Sequence, residues 1–155
     1  MPVGDFSYLG HGYGFLAGVM TENLLDNGII FSLETGLTGF AGGDKKMNNS
    51  FQVPLLFGAG FRLDVSDGIF LVPSVKLGAS FNSICYRGPK YYAFQSVTIK
   101  KYSFEPMAQI GLTARYAVDD DLGLDVGLHY GMIPESESFF HFFSLSAGMS
   151  YRMDW

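Results

Sequence analysis

Charge is what this sequence has least of. Asp, Glu, Lys and Arg together make up 16% of its residues, where ordinary soluble domains carry about a quarter. Basic residues number 10 against 15 acidic ones, so the net charge is −5. A nucleic-acid surface would be basic and clustered, so no nucleic-acid partner is expected. Cysteine is nearly absent too: Cys85 stands alone and cannot form an internal disulfide. No Cys/His spacing resembles a zinc site, which leaves Cys85 as a small apolar filler near a strand end and no metal or cofactor expected. No run of about 18 apolar residues exists, which excludes a helical membrane span but not a membrane β-barrel. The opening residues Met1 to Asp5 lack the basic and apolar segments of a secretory leader. An exported protein is therefore expected here in mature or trimmed form, with Met1 as an expression start. At 155 residues the chain suits one domain, 1–155.

What the chain has in abundance is aromatic residues, at 16%, and 20 glycines, set in a strict two-residue alternation. At that period successive side chains of a strand point to opposite faces. In 51–65 the odd positions Phe51, Val53, Leu55, Phe57, Ala59, Phe61, Leu63 and Val65 oppose Gln52, Gly58, Gly60, Arg62 and Asp64. After the turn Ser66-Asp67-Gly68, Ile69, Leu71, Val75, Leu77, Ala79 and Phe81 oppose Ser74, Lys76, Gly78, Ser80 and Asn82, which predicts a hairpin. Segment 104–118 sets Phe104, Ala108, Ile110, Leu112, Ala114, Tyr116 and Val118 against Glu105, Gln109, Gly111, Thr113 and Arg115. Beyond Asp119-Asp120-Asp121, Leu122 to Met132 alternate with Gly123, Asp125, Gly127, His129 and Gly131, and 143–155 repeats the design. Two less regular strands lie near 6–20 and 28–41, giving seven readable strands.

A soluble sandwich or ligand-binding barrel also alternates, so alternation alone shows only one apolar face. Strand length discriminates: soluble strands average about 5–6 residues, whereas these run well beyond ten, as a tilted bilayer crossing requires. The polar face discriminates again. It carries Glu34, Arg62, Asp64, Lys76, Glu105, Arg115, Asp125, His129 and Arg152 among Gly, Ser and Thr. A watery exterior favours abundant Lys and Glu, while a narrow barrel interior needs small residues and mutually neutralising charges. These nine residues are expected to form an interior polar network. In hydrocarbon each unsatisfied backbone group costs several kcal/mol, so the strands are expected to close without a free edge. Phe51, Phe81, Phe104, Tyr116, Tyr130 and Tyr151 would supply interfacial aromatic girdles.

The terminal run 143–155, alternating and ending on an aromatic residue, resembles the C-terminal strand of bacterial outer-membrane barrels. The pattern over nearly the whole chain is most similar to the small OmpA/OmpX-type barrels. That resemblance implies an all-β, antiparallel up-and-down transmembrane β-barrel of eight strands in the bacterial outer membrane. Its surroundings would be outer-membrane lipid and lipopolysaccharide. It also implies that Tyr151, Met153 and Trp155 act as an assembly signal read by the barrel-assembly machinery.

In such barrels periplasmic turns are short and outer loops long. Residues 66–68, 119–121 and 22–28 would be periplasmic; 42–50, 84–103 and 134–138 would lie outside. Seven strands leave an eighth to be found before residue 1, within 86–102, or in a differently folded N-terminal region.

Interior charges invite a conduction reading, but an eight-strand barrel is barely wide enough for its own side chains, so a structural plug of ion pairs is favoured. His11, His129 and His141 could serve a hydrolase only with a nucleophile and an acid in reach. His141 and Ser144 have opposite parity, and His129 shares a face with Asp125, which suggests a structural pair. Segment 84–103 interleaves Tyr86, Arg87, Lys90, Tyr91, Tyr92, Lys100, Lys101 and Tyr102. It is either a recognition loop for phosphate-bearing lipopolysaccharide or a host surface, or an extended hairpin with packed aromatics and solvated charges. Glu135-Ser136-Glu137 reads as a solvated acidic loop, and the glycines of 10–14 as small residues on a crowded inner face rather than a phosphate cradle. The expected function is a non-enzymatic outer-membrane barrel with a structural or loop-borne recognition role. The alternatives are a lipid A-modifying enzyme, a carrier of a small hydrophobic molecule, and a soluble ligand-binding barrel.

Overall fold

The structure is a computed structural model that describes residues 11–21, 28–41, 50–87, 98–134 and 139–151, and within them every regular element is a strand. The strands are β1 (His11–Thr21), β2 (Ile29–Ala41), β3 (Ser50–Phe61), β4 (Leu63–Ser66), β5 (Ile69–Arg87), β6 (Thr98–Ala117), β7 (Leu122–Pro134) and β8 (Phe139–Tyr151). They form one 8-stranded antiparallel sheet in the order β1-β2-β3-β5-β6-β7-β8, with β4 beside β5. Each strand lies next to its neighbour in sequence, which is the meander that short turns between alternating segments dictate.

The strand expected over 51–65 is broken at Arg62. The Arg62 N–H donates to the Gly28 carbonyl at 2.8 Å, and Gly28 holds a φ of 79°, a conformation glycine adopts without a Cβ clash. That bond closes the β2–β3 ladder. Beyond it β4 pairs only with β5, its register shifting between Asp64 and Ser66. β3 and β4 are therefore successive parts of one long strand, and the other strand rows overlap the alternating segments, with β5, β6 and β8 reaching beyond them to Arg87, Thr98 and Phe139.

The 84–103 segment also differs from a simple loop. β5 and β6 pair continuously from Ile69↔Tyr116 to Arg87↔Thr98, so 84–87 and 98–103 extend the longest hairpin. Strand-favouring residues such as Ile84 and Tyr102 carry the ladder outward, and the Tyr102 ring stacks on Phe81 at 6.1 Å. The 119–121 turn forms as its composition suggests: the Asp119 carboxylate accepts from the N–H groups of Asp121 (2.9 Å) and Leu122 (2.7 Å).

The sheet curls. Arg115 of β6 reaches the Met20 sulfur of β1 at 3.3 Å. Leu56, Ile84, Met107 and Ile133, from β3, β5, β6 and β7, form a buried cluster against which Phe40 of β2 and Phe142 of β8 pack. A second small cluster, Ile30, Phe70 and Val72, is also buried. The curl is that of a half-barrel: among the described residues β1 and β8 are the two edges and do not pair with each other. Of the expected places for an eighth strand, residues 86–87 and 98–102 extend the β5–β6 hairpin, and the region before residue 11, like 88–97, lies outside the described residues.

Candidate functional site

Side chains on the two faces of this sheet are distributed in the reverse of a water-soluble core. Phe57, Leu77, Leu112 and Leu145 are 45% to 78% exposed on the outer face, whereas Lys76 and Arg115 are 6% exposed on the inner one. The inner face also buries Gln52, Ser80, Asn82, Gln109 and His129. The concavity is thus the chemically distinctive site, and strand register decides which groups meet in it.

Lys76 and Glu34 form the first pair, at 2.7 Å. They stand on β5 and β2 with β3 between them, so the lysine stem must cross a strand. It crosses at Gly58, which faces Lys76 in the β3–β5 ladder and Ser32 in the β2–β3 ladder. A Cβ at Gly58 would lie 2.8 Å from Lys76 Cγ, so the missing side chain is what opens the path. The second pair is direct: Arg115↔Asp125 are cross-strand partners, and Arg115 Nη2 donates to Asp125 Oδ2 at 3.1 Å. Phe70 lies beneath both nearby guanidinium groups, with Arg62 Cζ 4.1 Å and Arg115 Cζ 5.4 Å from its ring centroid, within cation–π range.

His129 does not pair with Asp125, whose carboxylate is taken by Arg115. Its Nε2 lies 3.4 Å from Ser146 Oγ, and its buried Nδ1 has no hydrogen-bond partner among the described residues. The ring lies over Gly111, its cross-strand partner, where any Cβ would collide with it. Ser80 and Asn82 bond to one another: the Ser80 hydroxyl donates to Asn82 Oδ1 at 2.8 Å. Ser50 Oγ accepts the Cys85 N–H at 3.1 Å, and Cys85 is buried as a small filler.

One expected network member, Asp64, sits elsewhere. Asp64 is outside the interior: its side chain is 72% exposed and pairs with Arg62 at 2.8 Å, because the break at Arg62 carries β4 past the end of β2. Arg62 itself is half-buried at that rim. Glu105 is half-buried and faces Ser80 across the β5–β6 ladder. Arg152 lies outside the described residues.

The outer wall carries few polar groups. Tyr130 OH and His141 Nδ1 are 2.7 Å apart with their rings stacked, and Tyr130 also packs on Phe143. His141 is therefore engaged by a tyrosine, while Ser144 belongs to the opposite face. Of the expected recognition residues, Lys100, Lys101 and Tyr102 are exposed on β6. Tyr86 and Arg87 end the β5 backbone, and Lys90, Tyr91 and Tyr92 lie outside the described residues. Tyr151 closes β8 with an exposed ring, and Met153 and Trp155 lie outside the described residues, as does the acidic segment 135–137.

Two features had no place in the sequence reading. The Met20 contact to Arg115 depends on curvature. The prolines Pro106 and Pro134 sit where the β6–β7 ladder stops: its last pair is Ala108↔Met132 although both strands continue. Continuing that register sets the two prolines opposite one another, and neither has an N–H to donate. A proline inside each alternating run was the available signal.

No protein-family model, curated protein or solved structure matches this chain.

Proposed function

We propose that this chain is a small outer-membrane β-barrel protein of the bacterial type, spanning the membrane as one domain. In this reading it has no enzymatic activity. Its role is structural or recognition, borne by the connections on the side of the β5–β6 hairpin tip. The observation that carries the reading is the inverted partition of side chains: 29 large apolar or aromatic residues among those described are exposed, while Lys76, Arg115 and His129 of the same sheet are buried on its inner face. A soluble monomer rarely exposes a contiguous apolar patch beyond a few hundred Å², whereas a barrel in lipid requires such a wall. The strands are long enough for the crossing, with 11 to 20 residues in every row except the short β4. The two edges, unpaired with one another in the described sheet, would be satisfied by closure in the bilayer, because open sheet edges do not persist in hydrocarbon.

Within that barrel the Lys76–Glu34 and Arg115–Asp125 pairs, with the apolar cluster around Leu56 and Ile133, serve as a plug. Outer-membrane lipid and lipopolysaccharide are the proposed surroundings, the barrel-assembly machinery the proposed partner during insertion, and a surface ligand the proposed partner of the exposed hairpin. The test is refolding of the full chain with and without lipid vesicles. Strand structure that forms only with vesicles or detergent, floats with them in a density gradient and resists alkaline extraction is expected. A monodisperse folded monomer in plain buffer would refute the reading, and a large steady conductance across planar bilayers would refute the plug.

A further inference from the structure

The β5–β6 hairpin rises past the rest of the described sheet on the β7 side. The last β6–β7 pair is Ala108↔Met132, yet β6 stays paired to β5 as far as Arg87↔Thr98. On the outward row of this overhang stand Phe104 and Tyr102, 73% and 60% exposed, followed by exposed Lys100. The Tyr102 ring stacks on Phe81 at 6.1 Å with 16° between the planes, and Phe81 in turn meets Phe51 at 6.2 Å. We infer that this face binds the phosphorylated sugars of a lipopolysaccharide core, with a pyranose ring seated on Phe104 and Tyr102 and a core phosphate at Lys100. The inference rests on the membrane reading and names the ligand class of its exposed hairpin.

Height selects the sugar layer over the acyl layer. With the bilayer centred on the Leu112↔Leu128 pair, midway along β7, Phe104 is eight residues beyond the centre and Lys100 twelve. At about 3.4 Å per residue and a tilt of about 40°, they lie about 21 Å and about 31 Å from it, whereas the apolar band ends about 12 Å from its own midplane. Phe81 faces Phe104 across the ladder, so these rings stand clear of the boundary at which an interfacial girdle would sit. Charge selects a phosphate-bearing ligand. Between Asp67 and Glu105 the sequence has no acidic residue, and beyond the internally paired Lys76 it places Arg87, Lys90, Lys100 and Lys101 there. The opposite end of the sheet exposes Asp64, Asp67, Asp119, Asp120 and Asp121, so an anion is drawn to the hairpin end. A phosphate oxygen there accepts a charge-assisted hydrogen bond from the Lys100 ammonium group. The rings supply the sugar contact, because one face of a pyranose is a flat set of C–H groups that the negative face of an aromatic ring attracts. The competing occupant is a peptide strand laid along the β6 edge, and lysines on an edge disfavour strand addition.

The test reconstitutes the full chain into phosphatidylcholine nanodiscs and titrates it, by calorimetry, with the core oligosaccharide released by mild acid from a lipopolysaccharide with a phosphorylated core. One-to-one binding is expected. Lys100→Gln is expected to weaken it about twofold to fivefold, the range of an exposed ion pair, and to leave binding of the dephosphorylated oligosaccharide unchanged. Phe104→Ala and Tyr102→Ala should each weaken both forms about threefold to tenfold, the range of one aromatic contact, while Tyr116→Ala, an exposed ring toward the opposite end, should weaken neither. Should an alanine variant fail to fold, Phe104→Leu and Tyr102→Leu keep the apolar bulk without the flat face and are expected to show the same losses. Equal binding by wild type and the ring variants, equal binding of the phosphorylated and dephosphorylated forms, or capture of an extended peptide with no binding of either oligosaccharide would each overturn the inference. Failure of the wild type to float with vesicles would instead remove the membrane reading on which it stands.

Discussion

An arginine placed at two depths on one strand separates a lipid-facing wall from a water-facing one. Leu128 and Leu124 both point outward from β7, at 57% and 45% exposure, and neither touches the inner pairs. Leu128 is at the middle of the strand Leu122–Pro134 and Leu124 is four residues nearer the short turn. Four residues rise about 14 Å along an antiparallel strand, or about 10 Å along the membrane normal at a tilt of about 40°. The apolar band of an outer-membrane barrel is about 25 Å tall, so Leu124 falls near its boundary when Leu128 is at its centre. Leu128→Arg is then expected to cost about 2–4 kcal/mol and Leu124→Arg about 0–1 kcal/mol. At 1.36 kcal/mol per factor of ten, the first is roughly a 30-fold to 900-fold loss in the folding equilibrium constant. The assay is reversible guanidinium unfolding in vesicles, followed by far-ultraviolet circular dichroism. On a water-facing wall both substitutions would stay within about 0.5 kcal/mol of wild type. Two small, equal values in vesicles would refute the orientation of the whole sheet.

The interior makes its own demands. Lys76→Met strands the Glu34 carboxylate in the concavity, and removing one member of a buried pair costs about 3–5 kcal/mol; the double variant Lys76→Met and Glu34→Leu should recover most of that in the same unfolding assay, and a double variant no better than the single would refute the coupling. Gly58→Ala should destabilise by about 1–3 kcal/mol through overpacking against Lys76 and Ser32. Gly148→Ala, where a Cβ meets nothing within 4 Å, should be neutral or stabilising by up to about 1 kcal/mol, so equal effects at the two positions would refute the crossing-path argument. Cys85, buried with its N–H bonded to Ser50, should react with a thiol reagent only on unfolding, as measured by mass shift with and without denaturant.

Much of this architecture was legible because period-two alternation converts sequence directly into faces. Phe57, Leu77, Leu112 and Leu145 share one face and Lys76 and Arg115 the other, as parity alone indicates. Parity does not supply curvature or partnership. Asp125 and His129 share a face, yet Asp125 is bound by Arg115, because the β6–β7 register sets those two directly opposite. Asp64 has inward parity within 51–65 and is nonetheless exposed, because a carbonyl from Gly28 ends the ladder one residue after β3. Segment 84–103 read either as a recognition loop or as an extended hairpin because its alternation is weak near the tip, and its two flanks pair with each other in continuation of the β5–β6 ladder. The proline pair was visible as two letters, but its meaning depended on the register that faces them.

In the proposed membrane barrel the meander would have a kinetic corollary. Each of β2, β3, β5, β6 and β7 takes part of its backbone bonding from the strand before it and part from the strand after it, so a single hairpin sent ahead into hydrocarbon would carry two rows of naked amides with it. Insertion one strand at a time is thereby the steepest route. The economical path assembles the ladder at the headgroup boundary and submerges it as a unit, with Lys76 and Arg115 already neutralised by Glu34 and Asp125 before either leaves water.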